Sequence, residues 1–286
     1  MLTEVKAYSS WEQAPTLLLD ENGSAETDLI QVRGITGLDP VKASVNVSPY
    51  GSVDGSAYVG SDVINRNIVL TLRPNPDWAD WTYEALRRLI YSYFMPKRPT
   101  RLIFESSDIP PVEISGIVES AEANQFSNDP EMQVSIICPD PYFTALDPTV
   151  ITGQSIRPGD RDPDSLAEIN YEGSVETGIY VLVSQTSGAE PTSIGIQVGD
   201  PAISYFDVAA GVNLTKYLEM NSVPLQKFIQ NIDLTTGVIT NLLSKVTIRE
   251  GSGWPTLHPG ETDFSVVTDV GMQDWELSYF ARYGGL

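Results

Sequence analysis

The run VINRNIVLTLR at residues 63–73, followed by PNPDW at 74–78, decides how this chain is read. Side chains of a strand alternate between its two faces, so Ile64, Ile68, Leu70 and Leu72 share one apolar face. Arg66 falls on the same parity. Asn75 is a good helix N-cap, Pro76 suits the first helical position, and Asp77 meets the positive end of the helix dipole. Trp78, Trp81, Ala85, Leu89 and Tyr93 then recur at helical spacing, and Leu86 and Ile90 widen the stripe. The pattern predicts a helix over 78–95 that packs on a sheet, with Arg87 and Arg88 pointing elsewhere. Pro96 ends it, because proline lacks an amide hydrogen and clashes with the preceding turn.

Working outward, residues 101–105, 111–121 and 131–138 read as three strands, with a turn at 124–130. The exit CPDPYF at 138–143 cannot continue a sheet interior. Upstream, 28–34 and 41–47 alternate as half-buried strands do. The Gly- and Ser-rich stretch 48–60 reads as a surface loop, ordered on meeting a partner. A boundary falls at 145–148, which gives domains 1–145 and 146–286. The second opens with a polar, turn-rich stretch and continues as short strands separated by turn residues, the signature of a β-sandwich. Within it, DLTTGVIT at 233–240 reads as a tight hairpin with Gly237 at positive φ. The stretch 212–220 fits either a strand or a helical turn.

The chain has 286 residues, 41% of them apolar and only 19% charged, with 22 Gly and 20 Pro. That mix suits strands joined by turns, and the fold class expected is mainly β. No apolar run is long enough to span a bilayer, and no secretory signal is visible at the N-terminus. The net charge is −21, from 10 basic and 20 acidic residues in 1–145 and 7 and 18 in 146–286. Neither half offers the cationic surface that a phosphate backbone needs, so specific DNA binding is not expected.

Cys138 is the only cysteine and His258 the only histidine. A disulfide within the chain and a His-rich metal site are therefore excluded. Cys138 ends an apolar strand and reads as a buried structural thiol, while His258 sits in a turn-rich loop. The acidic run at 160–164 lacks the Gly and the distant Glu of a calcium loop. The sequence Asn213-Leu214-Thr215 fits a glycosylation acceptor, which the lack of a signal makes a chance match. No phosphate-binding loop, dinucleotide fingerprint or nucleophile elbow appears, and no carboxylate pair is singled out. The expectation is a non-enzyme without metal or cofactor. Two features invite partners. Arg66, Arg73, Arg87, Arg88, Lys97, Arg98 and Arg101 form the one basic concentration. Either they are solvated, or the arginines meet carboxylates of a neighbouring subunit. Trp254 and Trp275 either pack in a sandwich core or stack on sugar rings.

Three stretches carry a family resemblance: the strand at 63–73 with its helix and residues 97–105; the segment 134–143 ending Asp140-Pro141-Tyr142-Phe143; and the C-terminus, where Trp254-Pro255-Thr256-Leu257 and 259–264 precede Tyr279-Phe280-Ala281-Arg282-Tyr283-Gly284-Gly285-Leu286. In these the chain resembles the distal tail protein family of bacteriophages with long, non-contractile tails. The resemblance implies a barrel-like N-terminal domain with one helix that assembles into a hexameric ring, and a galectin-like C-terminal sandwich outside it. It implies a location at the distal end of the tail, contacts with the tail tube protein and the tip or baseplate, and a central passage for DNA. Receptor-binding proteins or host glycans would be further partners, and the loop at 48–60 would grip a neighbour. The alternative expectation is a baseplate or fibre protein that binds host wall polysaccharide through Trp254 and Trp275.

Overall fold

The computed structural model describes residues 2–9, 17–20, 30–75, 81–107, 109–124, 130–157, 166–185, 189–199, 206–210, 212, 215–270 and 273–286. The chain divides into two compact units, Met1–Leu146 with Tyr283–Leu286, and Asp147–Arg282. Both are built of strands, and the single described α-helix lies in the first. The fold is mainly β, as the composition predicts.

In the first unit the strands are β1 (Leu2–Ser9), β2 (Leu17–Asp20), β3 (Ile30–Thr36), β4 (Ser44–Pro49), β5 (Ser56–Asp62) and β6 (Arg66–Pro74). After helix α1 (Tyr83–Tyr93) come β7 (Pro99–Ser106), β8 (Val112–Ala123), β9 (Met132–Cys138) and β10 (Phe143–Ala145). An antiparallel sheet runs β2-β1-β7-β8-β9-β6-β3. Its edge strands β2 and β3 approach one another, so the sheet curls. Ile68, Leu70 and Leu72 of β6 are buried on its inner face beside Val134 and Ile136 of β9. Period-two alternation thus places them as expected. Ile64 does not follow: it precedes the strand and is 76% exposed.

Helix α1 starts later than expected. Thr82 is its N-cap, and the Ala85 amide donates to Thr82 Oγ1 at 3.2 Å. The expected start at Pro76 and Asp77, and Trp78 of the stripe, lie outside the described residues. The buried line is Leu86, Ile90 and Tyr93, continued by Phe94, while Trp81 is exposed and Ala85 and Leu89 are half-buried. The helix is therefore rotated by about one position from the expected stripe. Three wide aliphatic and aromatic anchors on the sheet outweigh a stripe that counts Ala85 equally. Pro96 stands just beyond the last helical hydrogen bond, Phe94 N to Ile90 O.

The stretch expected as a loop at 48–60 is instead most of a hairpin. Strands β4 and β5 pair antiparallel from Ser44↔Asp62 to Pro49↔Ser56, with a bulge at Asn46/Val47, and form a sheet of their own.

The second unit carries β11 (Thr149–Gln154), β12 (Ala167–Tyr171), β13 (Thr177–Gly178), β14 (Tyr180–Ser184), β15 (Ile194–Val198), β16 (Phe206–Val208) and β17 (Lys216–Asn221). It continues with β18 (Phe228–Asp233), β19 (Ile239–Asn241), β20 (Val246–Ile248), β21 (Thr256–Leu257), β22 (Gly260–Thr268) and β23 (Asp274–Tyr279). Two sheets, β11-β23-β14-β17-β18-β19 and β12-β22-β15-β16-β20, contribute to one core that includes Val181, Leu218, Ile196, Phe206 and Phe264. That is a sandwich, two layers closing over one apolar interior. The ambiguous stretch 212–220 resolves as β17, with 213 and 214 outside the described residues. The hairpin after β18 turns at Gly237, whose φ is 69°. The acidic run at 160–164 lies outside the described residues, as do Asn213 and Leu214.

Candidate subunit interface

Among the described residues of the first unit, the hairpin β4–β5 is the most exposed apolar element. Every residue of β4 is exposed, and Val45, Val47, Tyr58 and Val59 present large apolar surface to solvent, Val59 at 69%. Val47 lies directly opposite Tyr58, and the Tyr50 amide closes the tip on Gly55 O at 3.2 Å. An isolated pair of strands is marginal in water, and apolar side chains on both faces need something to cover them.

What holds this arm is at its root. Arg66, the first residue of β6 after the arm, is only 1% exposed. Its Nε donates to Pro141 O at 2.6 Å, Nη1 donates to Gly37 O and to Asp39 O at 2.9 Å, and Nη2 donates to Gly284 O. The guanidinium lies 4.4 Å from the Phe143 ring centroid. Gly37 and Asp39 precede the arm, so one side chain ties the entering chain to the leaving chain. It also fixes the C-terminal return and the proline exit. Gly37 has φ 89°, and a Cβ there would meet Asn67 O at 2.0 Å, so only glycine fits this root. Cys138, the register partner of Arg66, is buried, and burial pushes its thiol up to about 11. Its structural role follows.

Arg66 was placed above with the surface arginines. Burial puts it inside the unit, where its guanidinium is committed to backbone carbonyls. The others are not one cluster. Arg101 pairs with Glu113 Oε2 at 2.6 Å and lies 5.3 Å from the Tyr8 ring. Arg73 stands on β6, separated from Arg101 on β7 by β9 and β8. Arg88 is exposed on α1, and Arg87 lies 5.7 Å from the Tyr91 ring one turn on. Lys97 takes φ 70° in the turn after the helix, and Arg98 follows it, its carbonyl accepting the Val118 amide at 3.0 Å.

Trp275 is 3% exposed and packs edge-on against Phe264, with centroids 4.9 Å apart. It offers no face to a sugar. Trp254 is half-buried, tilted on Phe206 at 5.1 Å, with Lys227 Nζ 5.6 Å from its ring. The two do not form an aromatic platform. Sequence reading placed Val45 and Val47 on a half-buried strand at 41–47, whereas the strand begins at Ser44 and is exposed along its length, and it missed Tyr58 and Val59. The signal was Tyr58-Val59 between Gly55 and Gly60, a short β-forming pair inside a stretch dominated by turn composition.

No family model matches the chain, and no curated protein matches it by sequence. The similarity lies in the fold. The SPP1 Dit (gp 19.1) protein, described as a paradigm of hub adsorption apparatus in Gram-positive infecting phages, aligns at a TM-score of 0.65 and 14% identity. Two structures of the phage P2 baseplate in its activated conformation, with Sr and with Ca, align at 0.46 and 0.44 and 10% identity, over 96% and 97% of this chain and 97% and 98% of theirs, scores too low to carry weight. Across 97% of its own length and 98% of the other's, this chain has the fold of a phage Dit protein.

Proposed function

We propose that this chain is a structural protein of a phage tail tip. Copies of its first unit close into a hexameric ring that joins the tail tube to the tip or baseplate, and DNA passes through the centre. The second unit decorates the ring, and the chain acts without catalysis or cofactor. The observation that carries this proposal is the arm β4–β5, an apolar hairpin rooted by a buried arginine and lacking a cover in a single copy. A heterologous contact, in which the arm of one copy lies on the next, closes a ring when the rotation closes. The Dit-like fold supports the same placement. Arg73, Arg88 and Arg98 would serve as secondary subunit contacts.

The passage would be acidic. The outward face of β8 carries Glu119 and Glu122, and the chain as a whole is at −21. Such a wall repels a phosphate backbone, so DNA slides without binding. Mass measurement in solution with negative-stain images tests the ring directly. Annuli with a central hole are expected. Single copies standing as spikes in the intact particle would overturn it, and Lys and Arg lining the hole would overturn the acidic passage.

A further inference from the structure

The second unit holds a feature that the ring does not use. Among its described residues eight large apolar side chains are exposed, and six of them (Leu225, Leu234, Val238, Ile239, Leu243 and Ile248) fall within residues 216–249. The same stretch holds Lys216, Lys227, Lys245 and Arg249 against Glu219 and Asp233, a balance of +2. The unit as a whole carries 7 basic and 18 acidic residues, so the remainder stands at −13. Exposed apolar side chains and positive charge are thus concentrated in one stretch of an acidic unit.

That stretch includes two open sheet borders. β19 is the last strand of the six-stranded sheet and pairs with β18 alone; β20 is the last of the other and pairs with β16 alone. Proteins protect such borders with charge or proline. The stretch Val238-Ile239-Thr240-Asn241-Leu242-Leu243 has neither. Beside it a groove of about 390 Å³ is lined by Lys216, Asp233, Val238, Thr240 and Lys245 among others. Lys245 has no ion-pair partner among the described residues. Strand alternation puts Thr240 on the groove side and Ile239 on the opposite face.

We propose that β19 is a docking edge for an extended acidic segment of a different polypeptide, added to the sheet as a further strand. Its alternate side chains face opposite sides. Carboxylates on one side meet Lys245 in the groove, while Lys216, on β17, stands across from Asp233; apolar side chains on the other side meet Ile239. A basic, apolar patch also suits an anionic membrane, but a bilayer does not satisfy the backbone donors and acceptors of an open strand. The proposal stands on the second unit alone and does not require the ring.

The test uses the full chain and two labelled peptides of about eight residues, the usual strand length. One alternates Glu and Val, the other Lys and Val, and binding is read by fluorescence anisotropy. The Glu–Val peptide is expected to bind and to weaken as salt rises. Lys245→Glu should weaken it by about tenfold and shift preference towards the Lys–Val peptide. Ile239→Lys, an exposed change, should weaken both. Equal binding of the two peptides, or binding indifferent to these changes, overturns the proposal. So does self-association lost in Ile239→Lys, which would make a second copy the occupant. Co-sedimentation with phosphatidylserine–phosphatidylcholine vesicles that the same changes abolish would overturn it in favour of a membrane.

Discussion

The arm β4–β5 and the border β19–β20 both expose apolar strands, yet they are built differently. The arm rests on no core: both of its faces are in water, and its order comes from the guanidinium at its root. The border lies on a finished sandwich, with Leu242, Leu218 and Ile229 buried beneath it. Residues 44–62 carry Asp54 and Asp62 and no basic side chain, while 216–249 is net positive. A surface without its own support gains by being covered by many copies at once. A surface that is preformed and charged selects a partner by sign and register.

The largest expected effect tests the root. Arg66→Ala removes the donor that the carbonyls of Gly37, Asp39, Pro141 and Gly284 share, and should cost about 3–5 kcal/mol in calorimetric unfolding of the first unit. A loss below 1 kcal/mol, on the order of an ordinary surface change, would mean that the arm has another anchor. Next comes the shaft. Val47→Asp with Tyr58→Ala should weaken self-association by about 2 kcal/mol, roughly 30-fold, in sedimentation equilibrium, with the melting temperature nearly unmoved. If melting falls as far as assembly does, the arm is a packed element and the contrast fails.

Smaller effects separate apolar from charged contact. Raising salt from low to physiological strength should leave arm-mediated assembly nearly unchanged, since apolar burial is not screened, while weakening acidic-peptide binding at the border. The smallest concerns Asp233, whose carboxylate is held below its ordinary range, first by the Thr236 amide and also by the Thr235 amide. A depressed value in the folded chain means that the turn leading into β19 is favoured above the ordinary carboxylate range. That support is lost as pH falls through the lowered value. Amide exchange at Thr235 and Thr236 should therefore quicken as the medium becomes acidic, and Asp233→Asn should flatten the dependence.

Some of this was legible from residues alone. Ile68, Leu70 and Leu72 announced an inner strand face because period two is a local property. Pro96 stopped the helix and Gly237 turned the hairpin for equally local reasons. Ile64 failed because strand limits are set by pairing: β6 begins where Arg66 meets Cys138. The helix stripe included Leu86, Ile90 and Tyr93, which do go down, but centred on Ala85 and Leu89, because spacing gives a period while packing picks the anchors. Residues 48–60 were read as a loop because Gly and Ser dominate them, and 41–47 as half-buried because alternation does not show whether a core lies beneath a strand. Trp254 and Trp275 looked alike in sequence and differ in the fold, one half-covered and one inside.

By itself the sequence determined a mainly β chain of acidic composition, the helix before Pro96, a single cysteine in an apolar run and no candidate catalytic set, because composition and short-range periodicity carry that information. Only the tertiary structure decided what Arg66 does. Its four acceptors come from residues 37, 39, 141 and 284, and no local rule brings such distant carbonyls around one guanidinium. The same holds for the border at β19, where sheet order alone leaves one side of an uncharged strand unpaired and a groove beside it holds Lys245.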